Sequence, residues 1–273
     1  MYIFQTFNEA MSFYEKDKNF LVGKATDFFI LSEGVLFPFS LSFKNSEKIV
    51  FFFPGAFDLS QPKPKFQRKN YFEELESTCV SFFDPSLFLS SNLSLGWFQG
   101  ECQKNYLQLL LKLVQEIILR LEVENKNILF FSTSGGGLPS LKIAQHFLKS
   151  HVYLGNIQTD VLKYYEPSVK KMLLYCYPEV IDITPYKDRL NVFDINGDIN
   201  IYYAQNTQDK FHYKNHYLPF VKYASNTDLK CEFITYSHIS GHNPISKDVE
   251  ISVINSIFDK KSIMEVFSCY IDD

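Results

Sequence analysis

The chain has 273 residues, with 27 basic side chains against 31 acidic ones and a formal net charge of −4. That length suits one large α/β domain or two small ones, and the acidic balance excludes nucleic acid as the main partner. With 46% hydrophobic and 21% charged residues, the composition is that of a folded chain rather than a disordered one. Aromatics are in excess: 28 Phe, 17 Tyr and a single Trp make up 17% of the residues. Either they line a pocket or they reflect AT-rich codons. The basic residues favour codons, because nearly all are Lys and the only Arg are Arg68, Arg120 and Arg189.

The N-terminal segment lacks a basic stretch followed by an apolar core, so no signal peptide is expected. No apolar run is long enough to span a bilayer, so no transmembrane segment is expected either. The five cysteines (79, 102, 176, 231 and 269) are scattered without a CxxC pair. They read as core or free thiols in a reducing cytoplasm, not as a zinc site or a disulfide framework.

In chain order, Phe28 to Leu31 and Val35 to Phe43 predict an antiparallel pair turning at Glu33-Gly34. Lys48 to Phe53 (KIVFFF) is a short continuous apolar run, the pattern of a strand buried on both faces. A short helix is expected over Tyr71 to Glu76, and a second buried strand over Cys79 to Phe83. From Gln103 to Glu122 the apolar residues fall at i, i+3, i+4 spacing, which predicts a helix laid against a sheet. Asn127 to Phe131 is a third buried strand, and a helix is expected from Leu138 to Lys149. Strands over His151 to Leu154, Ile199 to Ala204 and Cys231 to Tyr236 alternate with helices over 212–225 and Ser246 to Phe258. The sum is an α/β three-layer sandwich: one domain, a mostly parallel sheet with helices on both faces, and an irregular helical insertion at 157–190.

The sharpest local feature is the junction Ser132-Thr133-Ser134-Gly135-Gly136 between strand and helix. A nucleophile elbow needs a serine at the tip of such a turn, with small residues two places before and after it, because strand and helix backbones close on each other there. The usual pattern is G-x-S-x-G; here Ser132 replaces the first Gly. The elbow sets Ser134 at a helix start, where the Gly135 N–H can bind an oxyanion. A second donor is expected from Pro54-Gly55-Ala56-Phe57, after KIVFFF, as the N–H of Ala56. A serine nucleophile needs a base and an acid. The loop after Ile199 to Ala204 offers Asp209, and the loop after Cys231 to Tyr236 offers His242 and His238. His242 is the expected base, with His238 as the competitor; Asp209 is the expected acid, with Asp160 and Asp198 as alternatives. The remaining motifs carry less chemistry. His212 and His216 form HxxxH without the glutamate of a metalloprotease and read as a solvated or core-edge pair. Asp194 to Asp198 imitates a calcium loop but lacks its closing Glu and reads as a turn. His146 and His151 receive no role, and GxGxxG and GK[ST] nucleotide loops are absent.

Together the order of elements, the Ser134 elbow, the PGAF loop, Asp209 and His242 resemble the α/β-hydrolase superfamily over roughly residues 28–258. The segments Phe83-Asp84-Pro85 and Leu93 to Gly100 are similar to bacterial proteins of surface-polysaccharide biosynthesis, and more distantly to accessory secretory proteins that O-acetylate glycans. The resemblance implies acyl-ester chemistry on a small-molecule or glycan substrate, by hydrolysis or acyl transfer, with no cofactor and no metal. The alternative is a hydrolase-fold scaffold that no longer catalyses, which the Ser132 departure motivates. Trp97 and residues of 157–190 are the expected pocket, with Trp97 equally explained as a packed edge aromatic. Much of the aromatic excess falls in predicted strands and reads as core filler, and Phe57, Trp97, Tyr164 and Tyr165 are the chief pocket candidates that remain.

Overall fold

The computed structural model describes residues 2–16 and 22–268. Helix α1 (Phe7–Lys16) precedes strands β1 (Ala25–Ser32) and β2 (Val35–Ser42), which pair antiparallel across a tight turn. That turn needs left-handed backbone at both Glu33 and Gly34 (φ 49° and 79°), which is why a glycine stands there. There follow β3 (Ile49–Phe53), β4 (Thr78–Phe82), α2 (Tyr106–Arg120), β5 (Ile128–Thr133), α3 (Gly137–Ala144), β6 (His151–Gly155) and α4 (Glu166–Cys176). The chain continues through β7 (Asn200–Asn206), α5 (Leu218–Ala224), β8 (Lys230–Tyr236) and α6 (Lys247–Phe258).

The eight strands form one sheet in the order β1-β2-β4-β3-β5-β6-β7-β8. Strands β4 through β8 pair in parallel; only β2 runs antiparallel to both neighbours. Because each parallel strand is covered on both faces, its side chains divide by period 2 between two cores. Ile49, Phe51, Phe53, Ile128 and Phe130 point to the side of α1, α2 and α3. Val50, Phe52, Leu129 and Phe131 point to the side of α6. The phenylalanines are the filling: Phe28, Phe39, Phe82, Phe51 and Phe130 contact one another in succession from β1 to β5 at 5.2–6.0 Å between ring centres. Helix α2 lays Leu110, Val114 and Ile117 on this layer, each fully buried. At about 25 cal/mol per Å² of apolar surface, every such side chain contributes roughly 2 kcal/mol.

Local boundaries differ where backbone detail decides. The helix expected to reach Lys149 stops at Ala144; Lys149 is left-handed (φ 71°) and turns its N–H to the Asp198 carbonyl. The helix expected over Tyr71 to Glu76 is only a 3-10 turn at Lys69–Tyr71. Strand β7 runs two residues further than its apolar pattern, taking in the polar but buried Gln205 and Asn206. Residues 157–190 carry the 3-10 turn Val161–Lys163, α4 and the 3-10 turn Thr184–Tyr186. Cys79, Cys102, Cys176 and Cys231 are free thiols, and Cys269 lies outside the described residues. Among the described residues no helix is long and apolar enough to cross a membrane.

The sheet's topology selects the place where chemistry can gather. The chain leaves β3 to one side to make β4, then crosses back to make β5 on the other side. A crevice opens at the carboxyl ends of strands where such a reversal occurs. The loops after β3, β5, β6, β7 and β8 all end on that edge.

Candidate active site

Ser134 follows β5 with φ 52°, a left-handed conformation that a non-glycine residue adopts only when its surroundings impose it. The turn is tight. A Cβ on Gly136 would lie 2.6 Å from the Phe53 carbonyl oxygen, and one on Gly135 2.4 Å from Leu95 Cδ1. Gly136 therefore has to be glycine, because backbone stands in the way, whereas a side chain at Gly135 would have to displace the tip of Leu95. Ser132, in the place usually held by glycine, is fully buried, and its hydroxyl donates to the Tyr153 carbonyl at 3.3 Å. One extra oxygen is accommodated because β6 offers it an acceptor.

The Ser134 hydroxyl lies 3.0 Å from His242 Nε2, and His242 Nδ1 lies 2.6 Å from Asp209 Oδ2. The three residues come from the loops after β5, β8 and β7. Asn206, the last residue of β7, holds two of those loops together. Its Oδ1 accepts from the Gln208 and His238 N–H groups, and its Nδ2 donates to the His238 and Gly241 carbonyls at 2.8 Å each. Asp209 caps the following helical segment, accepting from the His212 backbone N–H, and also faces the His212 ring, with Nδ1 3.1 Å from Oδ1. Burial pushes the Asp209 carboxyl up. The hydrogen bonds from His212 and His242 outweigh that and hold it well below the usual carboxylate range. The His212 and His242 rings stack at 3.9 Å between centres, 17° from parallel.

The loop after β3 completes the arrangement. A Cβ on Gly55 would stand 3.4 Å from Ser134 Cβ, so this loop passes directly beside Ser134. Gln67 clamps it, accepting from the Gly55 N–H and donating to the Ala56 carbonyl, both at 3.0 Å. The Phe57 N–H is bound by the Ser94 carbonyl. Among the described residues the Ala56 N–H between them has no protein acceptor, as an oxyanion donor requires. Above Ser134 and His242 lies a cavity of about 450 Å³ lined also by Ala56, Tyr153, Asn156, Tyr164, Tyr236 and Glu250. Its floor is braced by a buried ion pair. Arg68 Nε and Nη2 contact the two Glu250 oxygens at 2.7 and 3.0 Å, and Nη2 also donates to Thr133 Oγ1 at 2.8 Å.

No family model matches the sequence, and no curated protein matches it. Solved structures do. The capsule O-acetyltransferase of Neisseria meningitidis serogroup A superposes with a TM-score of 0.61 at 15% identity, over 83% of this chain and 95% of that one. An S-formylglutathione hydrolase from Agrobacterium tumefaciens gives 0.60 at 12% identity, over 86% and 92%. A Glycosylation Associate Protein complex from Streptococcus agalactiae gives 0.60 at 11%, over 83% of this chain and 45% of that one. The chain has the α/β-hydrolase fold.

Within the hydrolase fold the expected residues separate clearly. Ser134, His242, Asp209, Gly135 and Ala56 come together at one edge of the sheet. His238 sits in the same loop as His242, but its Nδ1 is 2.6 Å from Ser240 Oγ. Asp160 caps the turn Val161–Lys163, and Asp198 pairs with Lys230 on the surface. Of the aromatics, Tyr164 lines the cavity, Tyr165 is half exposed, and Phe57 packs against Phe83. Trp97 is buried to 1% exposure and donates its indole N–H to Gln158.

His212 and His216 correct the expectation of a solvated or core-edge pair: both are fully buried, and His212 is bonded to Asp209. Gln158 lies outside the expected site residues, yet its Nε2 donates to Ser134 Oγ at 3.0 Å. The signal for His212 was present, since it stands three residues after Asp209, one helical turn away on the same face. These histidines set an acid limit on the fold. Burial pushes the His216 imidazole down to about 3, and burial likewise lowers His212 against the pull of Asp209. The unfolded chain takes up these protons near 6.5 while the fold refuses them. For His216 stability is therefore complete above pH 6.5 and falls as pH drops toward 3, by roughly 1.4 kcal/mol per unit, and His212 adds a loss of the same sign below pH 6.5. Urea midpoints are expected to decline steadily from pH 7 to pH 5; a flat profile contradicts the assignment.

Proposed function

We propose that the chain is a serine-dependent acyl-ester hydrolase or O-acyltransferase, with Ser134 as nucleophile, His242 as general base and Asp209 as its orienting acid. The observation that carries this reading is the unbroken hydrogen-bonded series from Ser134 through His242 to Asp209 at the tip of a strained elbow opening into a cavity. His242 takes the Ser134 proton as Oγ bonds to the ester carbonyl carbon. The Gly135 and Ala56 N–H groups receive the negative charge that gathers on the carbonyl oxygen. The alcohol leaves with the proton from His242, and the acyl group remains on Ser134. Water or a sugar hydroxyl then attacks with His242 again as base, freeing Ser134. No metal or cofactor takes part in these steps.

A glycan ester or glycan acceptor is the substrate class we favour. Support comes from the capsule O-acetyltransferase likeness and from the tyrosine rings in the cavity lining, surfaces on which sugar rings pack. That the same acetyltransferase is also known as a variant in complex with CoA makes an acyl thioester a reasonable donor to test. We read residues 1–273 as one hydrolase-like domain with 157–190 as an insertion. The four free thiols support a reducing, cytoplasmic setting. An inert scaffold would leave Ser134 and His242 pointing apart; their 3.0 Å contact favours catalysis instead. The deciding experiment is reaction with a fluorophosphonate: the wild-type chain is expected to be labelled on Ser134 and Ser134→Ala not at all. A folded wild-type chain that stays unlabelled refutes the reading.

A further inference from the structure

The side chains around Ser134 close into a ring. From Ser134 the contacts run through His242 and Asp209 to His212. His212 Nε2 lies 3.2 Å from Gln158 Nε2, and Gln158 Nε2 lies 3.0 Å from Ser134 Oγ. The direction of each hydrogen bond on the Gln158 side follows from one donor. The Trp97 indole N–H can only donate, so the Gln158 atom facing it at 2.9 Å is the carbonyl Oε1. The amide nitrogen then faces inward with two hydrogens, one for Ser134 Oγ and one for His212 Nε2. His212 must accept there, so its own proton sits on Nδ1 and goes to Asp209. Trp97, Gln158 and His212 are all buried, so the amide cannot exchange these partners for solvent. The Gln158 backbone N–H adds a bond to the Ser134 carbonyl at 3.1 Å, fixing one residue against the other.

We propose that Gln158 is a catalytic hydrogen-bond donor to the Ser134 oxygen, acting mainly on release of the acyl group, with Trp97 and His212 as positioning residues that aim its amide. The proposal rests on the acyl-enzyme reading above. The three states of the oxygen explain why release is the step affected. In the free protein Oγ is a hydroxyl, already a good acceptor for the amide. In the acyl-enzyme it is the alkyl oxygen of an ester, a poor acceptor because its lone pair is delocalised toward the carbonyl. During release the attacking water or sugar hydroxyl gives its proton to His242 and bonds to the carbonyl carbon. The bond from carbon to Oγ then breaks, Oγ keeps the electron pair, and it takes the proton from His242. The Gln158 bond is weak before that step and strong during it, and only such a difference accelerates a reaction. In acylation the bond exists beforehand, so the gain is smaller.

The test is stopped-flow reaction with p-nitrophenyl acetate, comparing the initial burst with the steady rate, beside fluorophosphonate labelling as a measure of the first step alone. Gln158→Met removes the donor. Gln158→Glu also removes it when ionised but leaves Trp97 an acceptor, which keeps the test informative if the Met variant does not fold. Both are expected to slow deacylation by about tenfold to a hundredfold, with acylation and labelling changed by less than about threefold, so the burst grows. Trp97→Phe, which loosens the aim of the amide, is expected to shift the same balance in the same direction by less. A merely structural role would depress both steps together. Folded Gln158 variants that slow both steps equally, or neither, overturn the proposal and leave the Ser134 reading standing. A wild-type chain with no burst and no labelling overturns both.

Discussion

Ser134→Ala and His242→Ala are each expected to lower kcat for a short p-nitrophenyl ester by about four to six orders of magnitude, and the double variant by no more than either alone. The reason is the single proton path of the proposed mechanism. Without His242 the hydroxyl cannot lose its proton, and without Ser134 the imidazole has nothing to activate, so the second loss adds nothing. Asp209→Asn is expected to cost about four orders of magnitude through the wrong imidazole tautomer. The effect has an additional source here, because Asp209 accepts from two rings, His242 at 2.6 Å and His212 at 3.1 Å. An amide that keeps its oxygen toward both rings turns its NH2 to the His212 backbone N–H, donor against donor. Steady-state kinetics on the two single variants and the double decide the matter: additive losses mean that Ser134 and His242 do not work as a unit.

Arg68→Met is expected to destabilise the fold by about 3–5 kcal/mol, because it strands a fully buried Glu250 without its partner. The guanidinium meets the carboxylate through two bonds, lies 5.1 Å from the Phe131 ring, and leaves Tyr71 to donate to the same carboxylate at 2.8 Å. Burial weighs against its charge, and the Glu250 carboxylate outweighs that, holding the guanidinium firmly protonated. The double variant Arg68→Met with Glu250→Leu removes both charges and is expected to recover much of the loss. Urea unfolding of the two single variants and the double measures the coupling; a single-variant loss below about 1 kcal/mol contradicts the account. Because Arg68 also holds Thr133, the residue before Ser134, the single variant is expected to lose ester turnover too.

The parallel strands were legible because two-sided burial writes itself as short unbroken runs such as IVFFF and ILFF. The Ser134, Asp209 and His242 positions were legible because each follows such a run, and parallel strands end on one edge. What the sequence withheld are residues whose meaning is a partner far along the chain. Arg68 looks like any surface arginine until α6 brings Glu250 to it. Gln158 has no motif, since its importance comes from an indole on one side and a hydroxyl on the other. Asn206 looks like a loop residue because it is polar, yet it closes β7 with its side chain wired to the next loop. Helix α1 has too faint a signal, because its only pattern is Phe7, Ala10 and Met11 on one face, too short a stripe to stand out without the sheet it covers.

The chain contains one tryptophan, and that indole is two hydrogen bonds away from the nucleophile's oxygen. All of the protein's tryptophan fluorescence therefore originates behind Tyr164 of the cavity lining, against a glutamine whose amide reaches Ser134. On the proposed mechanism an emission spectrum of the unmodified chain is thus a local optical record of Ser134 acylation, with no label introduced and no second indole to subtract.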